Sequence, residues 1–201
     1  VTTAVTTALG EEVVIDGCTF STTVTLASPR NRLQISNSSF TSLTIKSLSG
    51  FGTSSQFFVR DSVAQTIAIS GVAGERYVLQ LPFRNVTANA SSVISGVPAL
   101  LLSTMILENS SSISLESCSF IARIETVRLN AVEFVSNSSL DIVDSRLASS
   151  AGDGLRMQSS AQFREGSSFR FLRSHIDAHG YGILMYTKSG LREKSRVSLL
   201  D

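Results

Sequence analysis

The chain has 201 residues, 42% of them hydrophobic, and a net charge of +1. That is enough apolar material for one sizeable core, which argues against wholesale disorder, and the balanced charge argues against nucleic acid as a partner. Serine (36) and threonine (16) make up a quarter of the chain and tryptophan is absent, a composition that suits β-structure with small polar turns better than helix bundles.

The sequence opens Val1-Thr2-Thr3 and stops at Asp201 inside an apolar-alternating stretch. It reads as a single unit, residues 1–201, expected to be an internal fragment of a larger repeat protein. Its longest apolar runs, such as Val97 to Leu102, fall far short of the roughly 20 residues of a membrane-spanning helix. Membrane contact is therefore expected only through regions outside this segment.

One eight-residue pattern recurs along the chain: apolar, any, apolar, four mostly small or polar residues, apolar. It begins as Val13-Val14-Ile15 ending in Phe20, and returns as Leu33-Gln34-Ile35 ending in Phe40. Phe57-Phe58-Val59 (to Ala64), Leu79-Gln80-Leu81 (to Val86) and Ile113-Ser114-Leu115 (to Phe120) follow. Leu140-Asp141-Ile142 (to Leu147), Phe169-Arg170-Phe171 (to Ile176) and Val197-Ser198-Leu199 complete the series. The starts are spaced 20 to 34 residues apart, within the range of solenoid repeats. A second short alternation follows each copy, as in Leu43-Thr44-Ile45 or Val127-Arg128-Leu129. A third appears in the longer copies, as Met105 with Leu107, Val132 with Phe134 and Ala161 with Phe163.

A period of two puts the first and third residues of each triplet on one strand face. Two or three strands with corners between them make one coil, and coils stacked about 4.8 Å apart pair in parallel. Like residues then form interior columns: Val13, Leu33, Phe57, Leu79, Ile113, Leu140, Phe169 and Val197 in one, and Ile15, Ile35, Val59, Leu81, Leu115, Ile142, Phe171 and Leu199 in the next. The expected fold is all-β, a right-handed parallel β-helix solenoid of about 7–8 coils of 20–34 residues. A leucine-rich repeat shares the period, but it has one strand per repeat and a leucine-dominated consensus. Unpaired strand edges at both ends would invite association of the isolated segment.

This pattern resembles the right-handed parallel β-helix of the pectate-lyase-like superfamily, over about residues 11 to 201. In texture it is closer to the dispersed gene family surface proteins of trypanosomes and related kinetoplastid proteins. Asn109-Ser110-Ser111-Ser112-Ile113-Ser114-Leu115 and Asn137-Ser138-Ser139-Leu140-Asp141-Ile142 carry that resemblance. It implies a very large, glycosylated, membrane-anchored, adhesin-like protein at the cell surface or secreted. Its implied partners are host or matrix proteins or glycans.

Five Asn-x-Ser/Thr sequons, at Asn37, Asn85, Asn89, Asn109 and Asn137, exceed the roughly two expected by chance. All lie at predicted corners or loops, where a glycan would project. Asn-Ser-Ser is also good corner chemistry without modification. Cys18 and Cys118 fall in one column with Ser38, Ser62, Arg84, Ser145 and Ser174. Four coils separate them, on the order of 19 Å, whereas a disulfide needs Cα atoms within about 7 Å. Both are read as unpaired, as small residues interchangeable with serine, with a partner outside the segment as the alternative.

His175 and His179 are the only histidines. Asp177-Ala178-His179-Gly180 bears a weak likeness to an element of polygalacturonases. The segment His179 to Met185 also aligns with Ala151 to Met157, and glycines at both corners suit a tight turn. Asp141, Asp144 and Glu116 are scattered carboxylates. Asp141 should point outward, and Asp144 should face Arg173 across adjacent coils as a charge pair. No metal or other cofactor is expected. Arg164, Arg170, Arg173, Lys188, Arg192, Lys194 and Arg196 thicken the end of the chain with positive charge, a possible ligand face for anionic glycans or acidic lipids. The longest copy suggests a projecting loop over about Asn85 to Ala99.

The function expected is non-catalytic display and adhesion. The alternatives are a β-helix polysaccharide lyase or glycoside hydrolase, and a purely structural spacer.

Overall fold

The computed structural model describes residues 12–27, 32–48, 56–91, 97–186, 189–192 and 194–200. The first two copies of the repeat supply β1 (Val13–Asp16), β2 (Thr19–Ala27), β3 (Arg32–Ser36) and β4 (Ser39–Leu48). The third supplies β5 (Gln56–Arg60), β6 (Val63–Gly71) and β7 (Arg76–Tyr77). Next come β8 (Gln80–Arg84), β9 (Thr87–Ala90) and β10 (Leu100–Leu107), then β11 (Ser112–Glu116), β12 (Ser119–Ala122) and β13 (Glu125–Phe134). The following copy holds β14 (Ser139–Val143), β15 (Arg146–Ser149), β16 (Asp153–Gln158) and β17 (Gln162–Phe163). The last strands are β18 (Ser168–Leu172), β19 (His175–Ala178), β20 (Ile183–Met185), β21 (Gly190–Leu191) and β22 (Arg196–Leu200).

Every strand pairing is parallel, and strands equivalent in the repeat lie side by side. The chain is thus a parallel β-helix of about 6 turns, slightly fewer than the 7–8 coils expected. The first face has eight rungs, β1-β3-β5-β8-β11-β14-β18-β22, but its last rung, β22, has no strand after it among the described residues. In early copies β2, β4 and β6 run round the bend between the second and third faces. Later copies break there, so β6 pairs with β9 through Val63 and Ala64 and with β10 through Ile67 to Ser70.

The interior columns form as the alternation requires, with one change of register. Leu81 and Phe83, not Leu79 and Leu81, stand opposite Ile113 and Leu115. Leu79-Gln80-Leu81-Pro82-Phe83 alternates over five residues and allows two frames. The corner at Asn85 selects the later one. Val86, not Arg84, then fills the Cys18 column.

That corner is a backbone device. Gly17, Asn37, Asp61, Asn85, Ser117, Asp144 and Arg173 all have left-handed φ, between 43° and 64°. Each follows a first-face strand and turns the chain toward the second face. Gly, Asn and Asp bear this conformation at least cost, which explains their frequency here. The residue after each points inward. Ser38, Ser62, Ser145 and Ser174 each donate the hydroxyl to the carbonyl two residues earlier at 2.7 Å. Their Oγ atoms accept the backbone N–H of the preceding rung: Ser38 from Cys18, Ser62 from Ser38, Ser145 from Cys118 and Ser174 from Ser145. Cys18 and Cys118 donate their thiols in the same way, to Asp16 and Glu116 carbonyls at 3.3 Å. Neither is in a disulfide, and burial pushes the Cys118 thiol up to about 11.

A second corner repeats with equal regularity. Asn109-Ser110, Ser136-Asn137 and Glu165-Gly166 are consecutive left-handed pairs. Ser111, Ser138, Ser167 and Ser195 close these turns with hydroxyl bonds of 2.5–2.6 Å to the carbonyl three residues back. The third short strands expected at Met105–Leu107, Val132–Phe134 and Ala161–Phe163 are in place, where Leu107, Phe134 and Phe163 align. Phe134 and Phe163 stack at 4.4 Å between centroids.

The glycines of Ala151 to Gly154 and His179 to Gly182 differ in role from the tight turn expected. None of Gly152, Gly154, Gly180 and Gly182 has left-handed φ. A Cβ on Gly152 would lie 2.0 Å from the Ile124 carbonyl oxygen of the preceding rung. Close approach of successive rungs, not turn geometry, demands glycine here.

Candidate functional site

A shallow concave feature runs along the solenoid axis on the second face. Residues of β2, β4, β6 and β9, with Ser91 just beyond, line a groove of about 580 Å³: Thr19, Ser21, Ser39, Thr41, the exposed Val63, Gln65, Asn89 and Ser91 above Phe20, Phe40 and Ala64. Its lining carries no formal charge. The two phenylalanine rings stack at 5.3 Å, nearly parallel. The same face continues through β12, β15 and β19, since Asn89, Ile121, Ala148 and Asp177 are paired in succession. There a second depression of about 380 Å³ is lined by Ile121, Ala148, Ser149, Ser150, Asp177 and His179. Thr41, Gln65 and Asn89 thus stand about one rung spacing apart, about 4.8 Å, whereas Ile121, Ala148 and Asp177 continue the row without hydroxyl or amide groups. The sequence carries this groove as outward Ser, Thr, Gln and Asn between inward residues.

All five sequon asparagines are exposed. Asn37 and Asn85 occupy the first corner and donate to the Asp16 and Asp61 carboxylates of the preceding rung, each at 2.9 Å. Asn109 and Asn137 occupy the second corner. Asn89 differs: it sits in β9 on the groove wall, and its Oδ1 accepts from the Ser91 N–H at 3.1 Å and hydroxyl at 2.6 Å. The projecting loop expected over Asn85 to Ala99 is in part this strand, because Thr87 and Ala88 pair with Val63 and Ala64. Residues 92–96 lie outside the described residues.

Many of the carboxylates are matched to arginines on the same or an adjacent rung. Arg170 bonds Asp141 at 2.6 and 2.8 Å, and Arg173 bonds Asp144 at 2.7 and 2.8 Å. Asp141 lies on the outward face as expected, yet Arg170 covers it to 7% exposure. Glu116 meets Arg84 at 2.8 Å, Glu133 meets Arg164 at 2.6 Å, and Asp177 meets Arg146 at 3.6 Å. Glu125, buried, is shared by Arg128 and Arg156. The expected basic face is therefore divided. Arg164, Arg170 and Arg173 are committed to acidic neighbours. Arg192, Lys194 and Arg196 are exposed on the last rungs. Lys188 lies outside the described residues. His175 and His179 are both exposed, and His179 lines the second depression. Among the described residues no group of three or more His, Cys, Asp or Glu is placed to hold a metal ion.

The hydrogen bonds from Arg173 hold the Asp144 carboxyl below its ordinary value of 3.8. The folded-state value is depressed, so the stabilisation is complete above the unfolded value and is lost as pH falls through the lowered one. Arg173→Met should return Asp144 to an ordinary carboxylate titration, read by NMR of its side-chain carbon. An unchanged titration would mean that the guanidinium does not set it.

Comparison with protein-family models, with curated proteins and with solved structures finds no match for this chain.

Proposed function

We propose that this chain is a non-catalytic, adhesin-like scaffold, secreted or displayed at a cell surface, whose second-face groove contacts matrix proteins or glycans. The uncharged axial groove carries this reading. Rows of Ser, Thr, Gln and Asn above stacked phenylalanines suit neutral polar chains, which bind through many weak hydrogen bonds and apolar contacts. The acidic side chains add support. A polysaccharide hydrolase needs two carboxylates facing one substrate, whereas Asp141, Asp144, Glu116 and Glu133 are each engaged by an arginine. The resemblance to pectate-lyase-like β-helices, and in texture to the dispersed gene family surface proteins, belongs with this reading as its nearest analogy.

Exposure of all five sequon asparagines agrees with a glycosylated surface. Expressed through a eukaryotic secretory route, the chain should show an endoglycosidase-sensitive excess mass that falls as Asn37, Asn85, Asn89, Asn109 and Asn137 are changed singly to Gln. An intact mass equal to the bare polypeptide would refute the glycoprotein reading.

The functional test pairs a glycan and matrix-protein array with a polysaccharide-cleavage assay. Binding without turnover is expected, weakened by Gln65→Ala and Thr41→Ala in the groove. Turnover of a uronate polymer would instead establish the enzyme alternative. Absence of both binding and turnover would favour a spacer.

A further inference from the structure

On the outward side of the first face, β5 and β8 form a depression of about 290 Å³ lined by Phe58, Val59, Arg60, Pro82 and Arg84. The strands on either side of this pair, β3 and β11, are both described. Val59 and Arg60 stand opposite Phe83 and Arg84, which sets Phe58 beside Pro82. The half-buried phenyl and pyrrolidine rings supply the apolar part of the depression. The Arg60 guanidinium lies over the Phe58 ring, 5.2 Å from its centroid.

Two local choices here work against the sheet. β8 is an internal strand, yet it carries a proline, which removes a ladder hydrogen bond and ordinarily sits at sheet edges or bulges. Arg60 and Arg84 place like charges directly opposite each other, which is unfavourable. The surrounding carboxylates do little to relieve that opposition. Glu116 takes Arg84 through Nε at 2.8 Å, and the Arg84 side chain is still 68% exposed. Asp16 is bonded by Ser36 and Asn37, and Asp61 by Asn85. Among the described residues no carboxylate lies within ion-pair distance of Arg60. Departures from local rules that the chain itself does not compensate mark functional positions.

We propose that this depression binds an extended acidic peptide segment. Two guanidinium groups on neighbouring rungs, about 4.8 Å apart along the backbone, can hold one carboxylate between them by charge-assisted hydrogen bonds. The Phe58 and Pro82 rings take an apolar side chain. Phe58 and Arg60 are two residues apart on one strand face, as are Pro82 and Arg84. An extended peptide lying along the strands matches them with an apolar residue and a carboxylate residue that are also two apart. The sequence required is therefore apolar, any, Asp or Glu. The bound carboxylate supplies the counter-charge that Arg60 lacks within the chain. This site is on a different face from the uncharged groove and does not depend on it.

The probe is a blocked pentapeptide with phenylalanine second and glutamate fourth, titrated into the isotope-labelled full chain and followed by NMR. Backbone amide shifts should saturate and centre on residues 58–60 and 83–84. Replacing the glutamate by glutamine, or moving it next to the phenylalanine, should weaken binding about tenfold or more, as loss of hydrogen bonds to a charged group implies. Arg60→Gln should do the same. Pro82→Thr restores a ladder N–H and leaves both charges in place, so the denaturation midpoint should hold or rise while binding falls several-fold. Thr41→Ala and Gln65→Ala in the second-face groove should leave this binding unchanged, which separates failure of the one site from failure of the other. Shifts that do not saturate or that centre elsewhere, equal binding of the glutamine peptide, indifference to Arg60→Gln and Pro82→Thr, or tighter binding of glucuronate than of the peptide would overturn the proposal.

Discussion

Phe163→Ala should cost about 3–5 kcal/mol of unfolding free energy, the range for truncating a fully buried aromatic side chain. Phe163 has no solvent exposure, stacks on Phe134 at 4.4 Å and tilts against Phe169 at 6.1 Å. It thus joins the third-face column to the first-face column across the interior. Alanine at this position leaves a void that neither ring can fill, because both are held by their own strands. Phe163→Leu keeps most of the volume and should cost less, about 1.5 kcal/mol or below. Denaturant midpoints of the two variants give the comparison. A loss under about 1 kcal/mol for the alanine variant would show that the rings do not carry the core.

A second large effect is expected at the inward serine column. Ser145 accepts the Cys118 N–H at 2.9 Å and donates to the Val143 carbonyl at 2.7 Å. Ser145→Val replaces the hydroxyl with two methyl groups, so it removes both bonds, orphans a buried N–H at a cost of about 1–3 kcal/mol, and crowds the column further. Ser145→Cys should cost less, because Cys18 and Cys118 already occupy this column with thiols bonded to equivalent carbonyls. Amide exchange at Cys118 should quicken in the valine variant and change little in the cysteine variant. Equal stability of valine and serine would remove the column from the forces that hold the rungs.

Much of this fold is legible in the sequence because its unit is local. Leu33-Gln34-Ile35 or Ile113-Ser114-Leu115 states a strand and its inward face, and the spacing of copies states the coil. Cys18 and Cys118 read correctly as serine equivalents for the same reason, since position in the repeat decides their surroundings. The fourth copy failed where local pattern is degenerate: Leu79, Leu81 and Phe83 alternate equally well in either frame, and the left-handed corner at Asn85 decides between them. Charge pairing at Asp144 and Arg173 followed from register alone. The near-burial of Asp141 did not, because it depends on how Arg170 folds down over it. The groove is the least legible feature. Its residues alternate like any outward face, and no local pattern marks that Thr41, Gln65 and Asn89 line one depression with the phenylalanine rings.

The stacked left-handed corner also has a mechanical meaning. Ladder hydrogen bonds lie across the strands and therefore along the solenoid axis. Tension applied along that axis loads the rungs in series, and each rung is held chiefly by its two neighbours. The molecule would yield by peeling rungs from an end, one after another, rather than by a single shear of the whole sheet. As a stalk it would lengthen in steps under load, with the undisturbed rungs keeping their shape.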